Sequence, residues 1–228
     1  MNLKNVFLLV SFLFLVVSPV WSQGFENRNL PNFNKIKISG NIIANLTKGI
    51  KQGVQINAID LEPNKVNTYV ENGELRINIQ DGIFRGGHIA IDIEYVELEG
   101  IEASSNCEVY MENTIKQPSF DVKVSSAAYL KITVDVNEID IALHTGGELD
   151  ISGTARKQKS KVLSGSIMHG FYLTSEEIDI KANTAGQAEV TATNMIKATS
   201  ATGASIIYKG QPKIENVKGN AGGEVSRF

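Results

Sequence analysis

From Phe33 onward, apolar and polar residues alternate in short runs. Ile36-Lys37-Ile38, Ile91-Asp92-Ile93, Phe120-Asp121-Val122-Lys123-Val124, Ile139-Asp140-Ile141-Ala142-Leu143 and Ile178-Asp179-Ile180-Lys181-Ala182 all have period two, the spacing of a strand with one face buried. No window carries a helical stripe with caps at both ends, and β-branched residues are frequent throughout, so the class is all-β. Val66–Val70 and Leu75–Ile79 flank Glu71-Asn72-Gly73-Glu74. An Asn-Gly pair between two strand-like runs predicts a hairpin.

One short pattern recurs seven times from residue 105 to the end: a hydroxyl or small residue, two more small residues, any residue, then an aliphatic one. The copies begin at Ser105, Ser126, Thr145, Ser164, Gly186, Thr202 and Ala221, spaced 21, 19, 19, 22, 16 and 19 residues apart. A period of about 20 residues with strand-like segments between copies indicates one unit stacked on itself. Aligned in this way, Cys107, Ala128, Gly147, Ser166, Ala188, Ala204 and Gly223 form a small column, which predicts a tight corner or a close approach of opposite walls. Val109, Leu130, Leu149, Met168, Val190, Ile206 and Val225 form an apolar column two residues later. The position between them reads Glu108, Tyr129, Glu148, Ile167, Glu189, Ser205, Glu224. Carboxylates on alternate copies suit an exposed column, because like charges about 4.8 Å apart repel by roughly 0.9 kcal/mol even in water. The expected fold is a single-stranded parallel β-solenoid with a hairpin-containing N-terminal part. It should be right-handed, as crossovers between parallel strands are.

The first 22 residues read as a signal peptide: Lys4, an apolar run from Val6 to Val17, and a cut site at Pro19-Val20-Trp21-Ser22. Polar, Asn-rich residues 23–32 read as a flexible leader, and residues 33–228 as one solenoid domain. The predicted location is exported: periplasm, cell surface or extracellular. No membrane span is expected once the signal is removed. Loss of Lys4 leaves 21 basic against 25 acidic residues, a formal charge of −4 without a basic cluster, which argues against nucleic acid as a partner. A single cysteine, Cys107, excludes an intrachain disulfide.

The opening Phe33-Asn34-Lys35-Ile36-Lys37-Ile38-Ser39-Gly40, the strand–Asn-Gly–strand unit over Val66–Ile79, the repeated small-small-x-apolar core and the terminal Gly222-Gly223-Glu224-Val225 together resemble the head GIN domain family. That family is described as putative auto-transporter adhesins of Bacteroidetes-type exported proteins. The resemblance spans about residues 33–228 and implies a β-solenoid, export and an adhesive role. It brings no catalytic motif.

Cys107 falls in the small, inward column and reads as structural. His88, His144 and His169 have no spacing that converges on a metal, so no metal or cofactor is expected. Asp121, Asp140 and Asp179 recur at similar places in their copies, with Lys161 in the intervening one, and read as a solvated face of mixed charge. His169-Gly170-Phe171-Tyr172 is the one local cluster of aromatic and titratable side chains in the repeats. His169, Phe171 and Tyr172 are therefore the candidate binding residues, against the simpler reading of a turn packed on the wall. The expected function is structural or adhesive binding at the cell envelope without catalysis, to an envelope protein or a glycan, with self-assembly through the solenoid end as a further option. The alternative is a polysaccharide-binding or polysaccharide-cleaving β-helix that uses outward carboxylates.

Overall fold

A computed structural model describes residues 24–59, 63–80 and 88–228; the expected signal segment lies outside them. Among the described residues, seventeen strands form one continuous sheet wound on itself. In chain order they are β1 (Gly24–Arg28), β2 (Lys35–Ser39), β3 (Ile43–Lys48), β4 (Gly53–Ile59), β5 (Val66–Glu71), β6 (Glu74–Ile79), β7 (His88–Tyr95), β8 (Gly100–Ser104), β9 (Glu108–Met111), β10 (Ile115–Ser125), β11 (Tyr129–His144), β12 (Glu148–Leu163), β13 (Ile167–Asn183), β14 (Gln187–Ala201), β15 (Ser205–Lys209), β16 (Ile214–Asn220) and β17 (Glu224–Arg227). A 3-10 turn, Pro63–Lys65, precedes β5. The repeats stack in parallel register as a β-solenoid of about 7 turns.

Each repeat motif is a corner. Ser126-Ala127, Thr145-Gly146, Ser164-Gly165, Thr184-Ala185, Thr202-Gly203 and Ala221-Gly222 all have positive φ at both residues. Each pair is closed by a hydrogen bond from the following amide, as in Ala128 N to Ser125 O and Gly147 N to His144 O. Two left-handed central residues with an i to i+3 bond define a type I′ turn, which joins strands tightly. The turns are themselves stacked: Ala127 N donates to Thr145 O, Gly146 N to Ser164 O and Gly165 N to Thr184 O. The residue after each turn is small because it meets backbone; a Cβ on Gly147 would lie 2.5 Å from Val124 O.

Strands that enter the turns make the first face, and strands that leave them make the second. Long strands such as β11 run along the second face, bend where Asn137 and Glu138 are both exposed, and continue along the first. Between the faces, Val109, Leu130, Leu149 and Met168 stack on one side and Val122, Ile141, Ser160 and Ile180 on the other, all buried.

The register corrects the fifth copy. Met168 pairs with Ala188, and Ala188 with Ile206, so the small column passes through Gly186 and the copy is headed by Thr184. Glu189 therefore leaves the acidic column, which has Gln187 at that level, and enters the next outward column beneath His169. The alternation of carboxylates predicted for that column is not present. The cause is that Ala188 and Val190 both satisfy an apolar position two residues apart, so the pattern alone does not fix the register.

The predicted hairpin is β5–β6, with Asn72 and Gly73 at φ 52° and 76°. At this end the order in space departs from the order in sequence: the rung β2–β3 lies between β6–β7 and β8–β9. Antiparallel strands β5, β4 and β1 close the outer edge, which blunts pairing there. Gly24–Arg28, inside the stretch predicted as a flexible leader, is strand β1. Arg28 fixes it by donating to Thr68 Oγ1 (2.8 Å), to Pro63 O (2.9 Å) and to Val66 O.

Candidate functional site

The sequence-predicted residues His169, Phe171 and Tyr172 come together on the second face through an irregularity in β13. Asp150 pairs with His169 but Ser152 with Tyr172, so β13 carries one residue more than β12 over this step. Against β14 the excess is three, since His169 pairs with Glu189 and Thr174 with Thr191. The segment is thus a bulge in a strand, where the simpler sequence reading had a turn. A bulge re-aims side chains, and here it turns two consecutive residues outward, Phe171 half-buried and Tyr172 84% exposed. Gly170 permits it, because a Cβ there would lie 2.5 Å from Glu189 O.

These residues border a trough of about 450 Å³ that also takes in Lys131, Thr133, Asp150, Ser152, Glu189 and Lys209. His169 places Nε2 3.4 Å from Glu148 Oε1 and Nδ1 3.8 Å from Glu189 Oε2. Asp150 Oδ2 accepts from the Tyr129 hydroxyl at 2.7 Å. Burial first, and then that bond, push the Tyr129 phenol above its ordinary range. Phe171 meets Phe228 edge-on, ring centres 5.3 Å apart, with the Lys209 ammonium over both rings. Sequence reasoning missed Lys209 and Phe228; they arrive from later rungs, and only the register could have placed them.

A second trough, about 400 Å³, lies on the first face between Asp121, Lys123, Asp140, Ala142, Lys159, Lys161, Asp179 and Lys181. Here too the register corrects an alignment: Asp140 pairs with Lys159 and Lys159 with Asp179, so Lys159, not Lys161, occupies the intervening rung. Lys161 belongs to the next outward column, between Ala142 and Lys181.

His144 ends β11 on the first face, exposed and across the turn from His169's face. Cys107 is fully buried, its thiol 3.6 Å from Ile38 O, and burial pushes it up to about 11. Among the described residues no group of three or more His, Cys, Asp or Glu side chains is placed to hold a metal ion, and no helix is long and apolar enough to cross a membrane.

The solenoid is shared with solved structures of bacterial proteins. A putative adhesin from Bacteroides fragilis NCTC 9343 is 19% identical and superposes with a TM-score of 0.82 over 92% of this chain and 99% of its own. A putative adhesin from Parabacteroides distasonis ATCC 8503 is 20% identical, TM-score 0.70, over 91% and 97%. A putative lipid binding protein from the same organism is 15% identical, TM-score 0.66, over 90% and 97%. At these identities the likeness establishes the fold. No curated protein matches the sequence. The sequence of residues 32–212, from just before β2 to just after β15, matches the family described as putative auto-transporter adhesin, head GIN domain. That span holds most of the turns and both troughs, and the chain belongs to this family.

Proposed function

We propose that this protein is exported and acts as an adhesive surface protein that holds glycans without cleaving them, at the trough formed by His169, Phe171 and Tyr172. The observation that carries the reading is Tyr172, 84% exposed on a bulge, beside a trough edged with hydrogen-bonding groups. An exposed aromatic ring offers a flat apolar face to a sugar's C–H surface, and its neighbours Asp150, Ser152, Thr133 and Lys209 can meet hydroxyls. The adhesin descriptions of the family and of its structural neighbours agree with binding at a surface.

Binding without cleavage is favoured because the carboxylates here are engaged. Glu148 and Glu189 both address His169, and Asp150 accepts from Tyr129. Glycoside hydrolysis needs a pair facing each other across the bond, one of them protonated. On the other face Asp179 is held by Lys197 at 3.2 Å, which weakens the case for Asp140 and Asp179 as a catalytic pair. The test is a glycan array probed with the protein and with Tyr172→Ala. Retention of neutral glycans by the first and their loss by the second is expected. Unchanged binding by the variant, or release of shortened product, would reject the reading.

A further inference from the structure

Along the first face, cations are set opposite carboxylates of the neighbouring rung. Lys37 reaches Glu102 at 2.6 Å, Lys197 reaches Asp179 at 3.2 Å, and Lys157 lies 4.0 Å from Glu138. Each of these pairs is in register across one ladder step. Between β10 and β13 the rule breaks twice. Asp121 stacks on Asp140, and Lys161 stacks on Lys181. Residues one rung apart in register are about 4.8 Å apart at the backbone, so each stack sets like charge against like.

Both breaks border the same 400 Å³ trough, and they lie in adjacent outward columns. Ala142 interrupts the lysine column just before Lys161 and leaves an open floor there. Among the described residues, Lys161 and Lys181 make no ion pair, nor do Asp121 and Asp140. The trough is therefore polarised across its middle: the Asp140–Ala142 rung carries one carboxylate and the Lys159–Lys161 rung two ammonium groups, while at its ends Lys123 accompanies Asp121 and Asp179, held by Lys197, accompanies Lys181.

We infer that this trough is a second binding site, independent of Tyr172, for a sugar acid. One anionic group of the ligand bridges Lys161 and Lys181, its ring lies over Ala142, and its hydroxyls donate to Asp121 and Asp140. A carboxylate accepts from hydroxyls but repels a second anion. The site consequently prefers a saccharide with one charge per ring to a heavily sulfated one.

The experiment is titration calorimetry of the whole protein with three probes: oligogalacturonate, neutral dextran oligosaccharide and dextran sulfate of similar length. Oligogalacturonate should bind more tightly than dextran sulfate at physiological salt. Lys161→Ala with Lys181→Ala should weaken it at least tenfold, with unchanged circular dichroism and melting temperature; all four charged side chains are exposed, so the fold does not depend on them. Asp140→Asn should shift preference toward dextran sulfate, and Tyr172→Ala should leave oligogalacturonate binding intact. Failure of oligogalacturonate to bind, equal affinity in the double lysine variant, or tighter binding of dextran sulfate to the unaltered protein would each overturn the proposal. Loss of oligogalacturonate binding in Tyr172→Ala alone would move the site to the other face.

Discussion

Lys209 holds its ammonium nitrogen 3.9 Å from the centre of the Phe171 ring and 4.2 Å from that of Phe228. One cation, two rungs on from the bulge of β13, thus tethers that bulge to Phe228 a rung further along. Contacts of this kind contribute about 0.5–1 kcal/mol at partly exposed sites. Lys209→Met, which keeps the aliphatic stem, should lower stability in urea by about 1 kcal/mol. It should also weaken neutral glycan binding, because the bulge loses a support. A variant that binds and unfolds like the parent would show that the cation only covers the rings.

Tyr172 and Leu173 are neighbours with opposite environments, 84% and 0% exposed. Tyr172→Ala should change stability by no more than about 0.5 kcal/mol, while Leu173→Ala should cost about 2–5 kcal/mol through the cavity it opens. Denaturation curves check both. A large loss for Tyr172→Ala would mean the ring is structural, and the proposed platform would lose its basis.

Ala127 sits at φ 58° in a type I′ turn and is exposed. Left-handed backbone costs an alanine roughly 1–2 kcal/mol, and glycine adopts it freely but loses some chain entropy on folding. Ala127→Gly should therefore stabilise the protein by about 0.5–1 kcal/mol, read as a higher urea midpoint at unchanged slope. A lower midpoint would show that the methyl group contributes packing between stacked turns.

Burial raises the Cys107 thiol to about 11. The folded protein then keeps a proton that the unfolded chain releases above about pH 8.5. Stability is complete below that pH and declines as pH climbs toward 11, by on the order of 3 kcal/mol in all. Tyr129, also raised, acts in the same direction at still higher pH. The difference between parent and Cys107→Ala isolates the thiol: urea unfolding at pH 8 and pH 10.5 should show the steeper decline in the parent. Parallel declines would place the thiol outside the linkage.

The stacked corners could be read from the sequence because Ala128, Gly147 and Ser166 each follow residues that the turn forces into one conformation. The hairpin at Asn72-Gly73 was legible for the same reason. Where two answers fitted locally, the pattern failed: Ala188 and Val190 are both apolar, and only the ladder chooses Ala188. The bulge at Gly170–Tyr172 hides extra length inside a strand, whereas sequence reasoning assigns length differences to loops. His169, Phe171 and Tyr172 were visible as a local cluster, but Lys209 and Phe228 join them only through the winding of the chain.

The placement of β2–β3 between β6–β7 and β8–β9 has a consequence for biogenesis. A nascent polypeptide emerging N-terminus first cannot settle that rung as it appears, since its neighbours come from residues 74–95 and 100–111. The beginning of the molecule waits for its middle, whereas each later coil docks on the one just made. Assembly is therefore not strictly vectorial, and the early segment lacks its neighbours until nearly half the chain has been synthesised.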